Sequence, residues 1–309
     1  MKALRDAYGD AILELGREFP NLFVIDADVG KSCKTLPFQK LYPTQYINVG
    51  ISEQNALGVA AGLATLGKIP LVTTYAAFGS MRICEQIRQV LCYPNLNGKI
   101  MCSHGGLTPA NDGASHQCIE DLGIMRTLPN MTVIAPGDYY SAKKLIRKSI
   151  DRYGPVYMRF TRDAIPFVYT DEDEFEIGRA RKLQDGSDIC IIACGDVLSQ
   201  AVEAARALVE SGIGVLLYDM HTLKPLDEAA VLEGIYRCGK IISVEDHNII
   251  NGLGSAVADV LARAGTGILV KLGVNDRFGE SGPYLELLAD NGITVENIVS
   301  TAKRMLAPC

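Results

Sequence analysis

The chain has 309 residues, of which 48% are hydrophobic and 21% are charged, so roughly two globular domains with full apolar cores are expected. The formal net charge is −6 and no basic run is longer than the pair Lys143-Lys144, which argues against sequence-independent binding to nucleic acid. The most apolar stretch, residues 56–79, is interrupted by Lys68 and Pro70, so no membrane span is expected.

The ends of the chain and its cysteines indicate a cytoplasmic protein. Residues 1–16 are charged from position 2 and predict an amphipathic helix rather than a secretory signal. The nine cysteines are scattered without a CxxC pair, which is typical of reduced thiols. Cys190 and Cys194 lie four residues apart in an apolar run, so they are expected on one face of a buried strand.

Short apolar runs alternate with helical patterns along the chain. The predicted strands cover residues 23–28, 69–76, 99–103, 131–135, 156–160, 189–193, 215–218, 241–245 and 268–272. The predicted helices cover residues 5–19, 53–65, 81–91, 139–150, 199–211, 228–238 and 253–264. This alternation predicts an α/β fold with two domains, each a mostly parallel sheet covered by helices on both faces.

One segment interrupts the alternation between the two halves. Residues 163–187 contain the acidic run DEDEFE together with Pro166 and Gly178, so they cannot form a core strand. We interpret this segment as a linker or an edge excursion. The predicted domains are residues 1–165 and 188–309, with a linker at 166–187.

Two strands of the first half run into polar loops of the kind that bind ligands. The strand at 23–28 leads to Asp28 and Ser32, and the strand at 99–103 leads to a long glycine-rich loop with His104, Asp112 and His116. Ligands of open α/β sheets sit at the carboxyl ends of strands. These two loops are therefore the first place to look for a site.

The sequence allows two interpretations of the role of Glu53. Ser52 is a candidate N-cap, so Glu53 falls in the first turn of the helix at 53–65, where a solvated carboxylate would complement the helix dipole. The small residues of that helix predict instead that it packs closely on all sides and buries its N-terminus. A buried carboxylate there is a candidate proton-transfer group.

The histidines also leave alternatives open. His104, Asp112 and His116 could hold a metal, but no fourth ligand is evident, and polar substrate readout or proton transfer in a cleft fits the loop better than a metal or plain loop hydrogen bonding. His221 and His247 each follow a strand of the second half, and structural roles are expected for both.

Two further groups carry candidate binding chemistry. Tyr75 and Phe78 close a strand in TTYAAFGSMR, where they either pack in the core or form a wall for a flat heterocycle. Arg5, Ser32 and Arg162 could gather an anion if the fold brings them together, although each alone is more often a surface residue. No GxSxG, P-loop or GxGxxG motif is present.

With these residues in view, the chain resembles the C-terminal half of transketolases. The matching segments occur in family order: ALRDAYGDAILEL, DADVGKS, YINVGISEQNALGVAAGLA, TYAAFGSMRICEQIR, SHGGLTPANDGASHQCIEDLGIMRTLPNMTVIAPGD, HTLKPLD and VEDHNIINGLG. The resemblance implies the pyrimidine-binding domain of thiamine-diphosphate enzymes followed by the transketolase C-terminal domain. It further implies carbohydrate metabolism of the pentose phosphate type.

The same resemblance implies a partner. Transketolases hold the diphosphate through Mg²⁺ with a GDG…N motif, and this chain has no GDG. Met1 stands four residues before Arg5, so we expect a naturally separate subunit. Its partner would carry the GDG…N motif and the Mg²⁺ and form the other half of an α2β2 heterotetramer, and no metal site is expected on this chain.

The resemblance also assigns roles. Glu53 matches the glutamate that hydrogen-bonds N1′ of the aminopyrimidine and so promotes deprotonation of the thiazolium C2. Phe78 and Tyr75 match the aromatic wall of the pyrimidine, and Asp28 matches an aspartate near the cofactor. The remaining matches face the sugar and its phosphate: His104, Asp112, His116, Arg5, Ser32 and Arg162. Met81 stands where many family members have a third aromatic.

The resulting expectation is a transferase that moves a two-carbon ketol unit from a ketose phosphate to an aldose. Glu53, His104 and His116 would be the catalytic residues. The alternatives are another thiamine-diphosphate reaction, such as deoxyxylulose-phosphate synthesis or 2-oxo acid decarboxylation, and a non-catalytic half that only binds a partner.

Overall fold

A computed structural model describes residues 1–307 of the chain. Its first sheet has seven strands in the order β12-β6-β7-β5-β4-β2-β3. Their bounds are β2 (Leu22–Asp26), β3 (Tyr46–Asn48), β4 (Ile69–Tyr75), β5 (Lys99–Ser103), β6 (Thr132–Ile134), β7 (Val156–Arg159) and β12 (Thr222–Lys224). All neighbours are parallel except β12, which runs antiparallel to β6 at the edge.

The second sheet has five strands in the order β14-β13-β10-β11-β9. Their bounds are β9 (Arg181–Gln184), β10 (Ile189–Ala193), β11 (Val215–Asp219), β13 (Lys240–Asn248) and β14 (Ile268–Val274). Only β9 is antiparallel. A two-stranded antiparallel pair joins β1 (Lys2–Ala3) to β8 (Ala164–Ile165). The predicted architecture of two mostly parallel sheets is therefore confirmed.

Helices cover both faces of each sheet. They are α1 (Leu4–Glu18), α2 (Leu36–Leu41), α3 (Glu53–Thr65), α4 (Cys84–Gln86), α5 (Asp121–Thr127), α6 (Tyr139–Asp151), α7 (Leu198–Glu210), α8 (Glu228–Cys238), α9 (Leu253–Ala264), α10 (Tyr284–Asp290) and α11 (Val295–Leu306). Helix α4 lies between two π-helical turns, Phe78–Arg82 and Ile87–Cys92, so the helix predicted at 81–91 starts three residues earlier and is wider than an α-helix.

The apolar residues of the strands divide between two buried layers. In β10, Ile189 and Ile191 point into the layer below α7 and α11, while Cys190 and Ile192 point into the layer below α8 and α9. Cys194 continues the second set and is buried with Cys190, as predicted. Strands buried on both faces explain why these segments read as unbroken apolar runs in the sequence.

The segment predicted as a linker is partly structured. It contains β9, which pairs with β11 at the edge of the second sheet, so the edge-excursion reading is the better one for residues 181–184. The proposed division at residues 165 and 188 stays a prediction. Helix α3 also differs from its prediction of packing on all sides, because Gln54, Gly58 and Gly62 lie on an exposed face.

Candidate active site

Most of the predicted site residues lie at one edge of the first sheet. Asp28 follows β2, Glu53 begins the helix after β3, Tyr75 ends β4 and His104 follows β5. Since β5, β4, β2 and β3 are neighbours and run parallel, their carboxyl ends form a single row. The fold therefore brings these four residues from separate segments to one ligand-binding edge.

Glu53 is buried, with only 3% of its surface exposed. It is the first residue of α3, and Ser52 occupies the N-cap position as predicted. Arg82 donates from Nη1 to the Glu53 Oε2 across 2.9 Å. The reading of Glu53 as a solvated carboxylate is therefore wrong: the charge is buried, and a guanidinium compensates it.

Arg82 is a site residue that the sequence reasoning missed. Its guanidinium carbon lies 4.3 Å from the centre of the Phe78 ring while the same group reaches Glu53. Phe78 and Arg82 are four residues apart in one helical turn, which places them on one face. This four-residue spacing is the sequence feature that could have identified Arg82 as a neighbour of Phe78.

Aromatic and imidazole rings gather at this edge of the sheet. The Tyr75 ring centre lies 6.1 Å from that of Phe78 and 4.0 Å from that of His104. The Phe78 ring meets the edge of His116 at 6.0 Å. Tyr75 and Phe78 remain partly exposed, and Phe78 also packs against the buried core, so both rings keep some surface free for a ligand.

His104 is held in a strained and buried position. Its backbone has φ +65°, a left-handed conformation that is unfavourable for a residue with a Cβ. Its Nδ1 lies 2.9 Å from Ser103 Oγ. Burial, followed by the positive charges of Arg5, Arg162 and His116, lowers the pKa of His104 to about 3. His104 is therefore a neutral imidazole at physiological pH.

The fold brings the candidate anion-binding residues to the same cleft. Pairing of β1 with β8, together with a 3.1 Å hydrogen bond from the Leu4 amide to Thr161 Oγ1, brings the segments next to Arg5 and Arg162 side by side. Arg5 donates from Nη1 to the backbone oxygen of Ser32 across 3.1 Å. The positive charges of both arginines contribute to the lowered pKa of His104.

Arg162 is engaged within the chain. It donates from Nη1 to the Pro109 carbonyl at 2.6 Å and to Asp112 Oδ2 at 3.0 Å. Asp112 and His116 belong to the loop between β5 and α5, and both keep exposed surface. The two residues expected to read a sugar hydroxyl and a phosphate thus form an ion pair with each other.

Two aspartates after β2 behave differently. Asp28 is exposed, has φ +63° and accepts a 3.0 Å hydrogen bond from Asn48 Nδ2. Asp26 is buried and accepts from the Val29 amide at 2.7 Å and from Thr35 Oγ1 at 2.5 Å. Asp26 therefore shapes the loop, and Asp28 is the one left for a ligand.

The two histidines of the second half are both buried, which is consistent with the expected structural roles. His221 is fully buried, and burial lowers its pKa to about 4. His247 is also buried and accepts the Gly123 amide on Nε2 at 3.2 Å. Gly123 belongs to α5 of the first half, so His247 joins the two halves.

Two family models match the chain. Residues 1–167 match "Transketolase, pyrimidine binding domain", and residues 178–298 match "Transketolase, C-terminal domain". A Methanocaldococcus jannaschii protein named "Putative transketolase C-terminal section" is 44% identical over 308 residues, which are 99% of this chain and 96% of that protein. The chain belongs to the transketolase family.

Two further similarities agree with this family. The 6-deoxy-6-sulfo-D-fructose transketolase subunit SqwH of Clostridium sp. (strain MSTE9) is 37% identical over 97% of this chain and 93% of that subunit. A solved structure titled "Split gene transketolase, inactive beta4 tetramer" superposes with a TM-score of 0.90 at 44% identity, covering 99% of this chain and 98% of that one. Within residues 1–307, no helix has the length and apolar character needed to cross a membrane.

The family's pyrimidine-binding domain implies thiamine diphosphate, and the side chains of the cleft fit the pyrimidine part of that cofactor. The Arg82 guanidinium is a flat group with N–H donors, and the cleft accommodates it against the Phe78 ring with a hydrogen bond to Glu53. An aminopyrimidine is likewise flat and carries an N–H donor when its ring nitrogen is protonated. Phe78 and Glu53 can therefore contact either a guanidinium or an aminopyrimidine in the same way.

Proposed function

We propose that this chain is the C-terminal subunit of a two-component, thiamine-diphosphate-dependent transketolase. It would transfer a two-carbon ketol unit from a ketose phosphate to an aldose or aldose phosphate. The observation that carries the proposal is the buried Glu53 carboxylate beside the Phe78 ring, at the edge where His104 also lies. Membership of the transketolase family supports the same chemistry.

Glu53, Phe78 and Tyr75 would hold the pyrimidine. When bound, thiamine diphosphate supplies a nucleophilic carbon and an electron sink for cleavage of a carbon–carbon bond. Glu53 would hold a proton at the ring nitrogen N1′, and its burial supports this role because a charge-assisted hydrogen bond is strong away from water. Asp28 would lie near the cofactor at the end of β2.

His104, Asp112 and His116 would orient the sugar. His104 is neutral at physiological pH, so its imidazole can accept a proton from a hydroxyl or donate one to an oxygen. Its Nδ1 is engaged by Ser103, which leaves Nε2 as the ring nitrogen for a substrate. Asp112 would read a hydroxyl of the substrate, and His116 would assist proton transfer.

Arg5, Ser32 and Arg162 would bind the phosphate of the sugar. The support is their common location: Arg5 contacts Ser32, and both arginines influence His104. A guanidinium can bind a phosphate with two parallel hydrogen bonds, so two of them at one cleft favour a phosphorylated substrate.

The partner would supply the GDG…N motif and bind the diphosphate through Mg²⁺. The solved relative is titled an inactive tetramer of one chain type, which supports the expectation that a chain of this kind needs a second subunit for activity. We expect a cytoplasmic α2β2 complex with the site between subunits. Residues 1–165 and 188–309 are proposed as its two domains on this chain.

Reconstitution tests the proposal. This chain is mixed with a candidate partner that carries the GDG…N motif, with thiamine diphosphate and Mg²⁺, and ketol transfer is measured from xylulose 5-phosphate to ribose 5-phosphate. We expect activity in the mixture and none with either chain alone. Deoxyxylulose-phosphate synthesis and 2-oxo acid decarboxylation are assayed in parallel.

The Glu53→Gln variant is the matched control, since it keeps the shape of the side chain and removes its charge. We expect turnover to fall about 100-fold or more while the complex still assembles. An active variant would contradict the role of Glu53. A stable complex that performs none of the three reactions would favour the non-catalytic alternative.

A further inference from the structure

The loop that carries His104, Asp112 and His116 is held by residues of the second half of the chain. This loop, residues 104–118, is closed at its base by two hydrogen bonds between Gly106 and Cys118, at 2.7 and 3.0 Å. His104 and Ala110 have left-handed backbones, at φ +65° and +56°. Such residues are strained and persist only where their surroundings fix them.

Asp246 of β13 provides the main contact. Its side chain is fully buried, and its two carboxyl oxygens lie 2.9 and 3.1 Å from the Leu107 amide nitrogen, which donates to them. The two residues are 139 positions apart in the sequence. This hydrogen bond therefore ties the second half of the chain to the turn that follows His104.

The contact with Asp246 explains why two residues of the loop, Gly105 and Gly106, are glycines. A Cβ at Gly106 would lie 2.1 Å from Asp246 Oδ2, and a Cβ at Gly105 would lie 2.2 Å from the Arg159 side chain. Arg159 in turn donates from Nη2 to the Asp246 backbone oxygen at 2.6 Å. The pair Gly105-Gly106 thus lets a carboxyl and a guanidinium approach the backbone next to His104.

Asp196 completes the arrangement around Asp246. The Tyr284 hydroxyl donates to Asp196 Oδ2 and also lies 3.3 Å from Asp246 Oδ2, so the two carboxyl groups lie close together. Burial and the neighbouring Asp196 raise the pKa of Asp246 well above its usual range.

We propose that Asp246 is a positioning residue of the active site: by accepting the Leu107 amide, it fixes the His104–Gly106 turn and thereby orients His104, Asp112 and His116 toward the substrate. The inference rests on the proposed function for its catalytic consequence. Its structural content, a second-half side chain that sets the geometry of the loop, is independent of which reaction the site performs.

Two variants distinguish positioning from simple stabilisation. Asp246→Ala removes the acceptor, whereas Asp246→Asn keeps a side-chain oxygen that can accept the Leu107 amide. The matched control is Asp227→Ala. Asp227 also accepts two backbone amides, those of Ala180 and Ala230, but at the start of α8 and without contact to the loop.

The first measurement needs no activity. Amide exchange of the peptide that contains Leu107, and C2-proton exchange of the four histidines, are followed by mass spectrometry in the isolated chain. In Asp246→Ala we expect the Leu107 region to exchange about tenfold faster or more and the exchange of His104 and His116 to change. Asp246→Asn should match the wild type, and Asp227→Ala should lose thermal stability without these changes.

The second measurement uses the reconstituted complex. Asp246→Ala should lower kcat/KM for the sugar roughly 10- to 100-fold with the same affinity for thiamine diphosphate, and Asp246→Asn should restore it. The proposal is overturned by an unchanged loop in Asp246→Ala, by an equal loop change in Asp227→Ala, or by a defective Asp246→Asn. If Asp246→Ala does not fold, the same exchange and activity measurements are made on Asp246→Ser, and they are compared with those of Asp246→Asn. A wild-type complex without ketol transfer would refute the proposed function, while the exchange data would still test Asp246.

Discussion

The Arg82 guanidinium donates to the Glu53 carboxylate across 2.9 Å while it covers the Phe78 ring at 4.3 Å. Both neighbours of this guanidinium are residues assigned to the aminopyrimidine by family resemblance. Arg82 is half exposed, whereas Glu53 is buried, so the arginine is the partner free to move. Binding of a pyrimidine against Phe78 would require this guanidinium to leave the ring.

Replacement of Arg82 by Met should destabilise the isolated chain. The variant leaves the buried Glu53 carboxylate without its counter-ion, so the free energy of unfolding should fall by about 1–3 kcal/mol at neutral pH. Adding Glu53→Gln to this variant should recover part of the loss, because a neutral amide needs no counter-ion. Chemical denaturation checks both, with Arg88→Met, exposed on the same helical segment, as control. Strictly additive effects of the two changes would contradict the coupling.

His104 should make stability depend on pH. Its pKa is about 3 in the folded chain and about 6.5 when unfolded, so the unfolded state binds more protons between these values. This contribution is present above pH 6.5 and is lost as the pH falls toward 3. Between pH 7 and 5 the wild type should lose about 2 kcal/mol more than His104→Asn, measured by chemical denaturation.

Asp219, another buried group, changes the stability with pH in the direction opposite to His104. Burial raises the pKa of Asp219 to about 7, so its folded form retains a proton and gains stability as the pH falls from 7. The difference between wild type and His104→Asn, rather than the slope of the wild type alone, therefore reports on His104. Parallel pH profiles for the two proteins would contradict the lowered pKa.

Removal of Arg162 should affect phosphorylated substrates selectively. In the reconstituted complex, Arg162→Ala should raise KM for a sugar phosphate about tenfold or more, because a bidentate phosphate contact is lost. KM for the unphosphorylated sugar should change much less. Arg263→Ala, which removes an exposed guanidinium paired with Glu228, serves as control. Equal effects on both sugars would remove Arg162 from the phosphate site.

The open face of α3 predicts stabilising substitutions. Apart from the flanking residues and the backbone of α3 itself, nothing in residues 1–307 lies within 4 Å of a Cβ built at Gly58 or Gly62, and both are inside the helix. Gly58→Ala and Gly62→Ala should each raise the free energy of unfolding by roughly 0.5–1 kcal/mol. Gly79→Ala is the contrasting variant, because its Cβ would lie 2.3 Å from Cys102 Sγ. Destabilisation at position 58 or 62 would show that this face is covered in solution.

The long buried strands could be predicted from sequence because a strand covered on both faces is apolar throughout. Short edge strands such as β3, β8 and β12 carry no such run: each has two or three residues and depends on a neighbour for its hydrogen bonds. The small residues of α3 were misread for a related reason. The small residues of a helix indicate that neighbouring segments can pack closely against it. They do not indicate on which face this packing occurs.

The candidate site also has features that could be predicted from the sequence and features that could not. Residues that follow long buried strands, such as Asp28 and His104, could be placed at one edge because parallel strands share a direction. Glu53 follows the short strand β3, and only the family resemblance connects it with the cofactor. Contacts between distant segments leave no local pattern, so the Asp246–Leu107 hydrogen bond could not be anticipated. The ion pair of Arg162 with Asp112 was hidden for the same reason, although both residues had been singled out separately.

Strand β12 has a consequence for dissecting this chain. Residues Thr222–Lys224 follow the third strand of the other sheet in the chain, yet they form the outer edge of the seven-stranded sheet beside β6. A fragment ending near residue 187 would expose the bare hydrogen-bonding edge of β6, and such edges recruit other chains. We expect that fragment to aggregate on expression, and the two halves to unfold in a single transition rather than as separable modules.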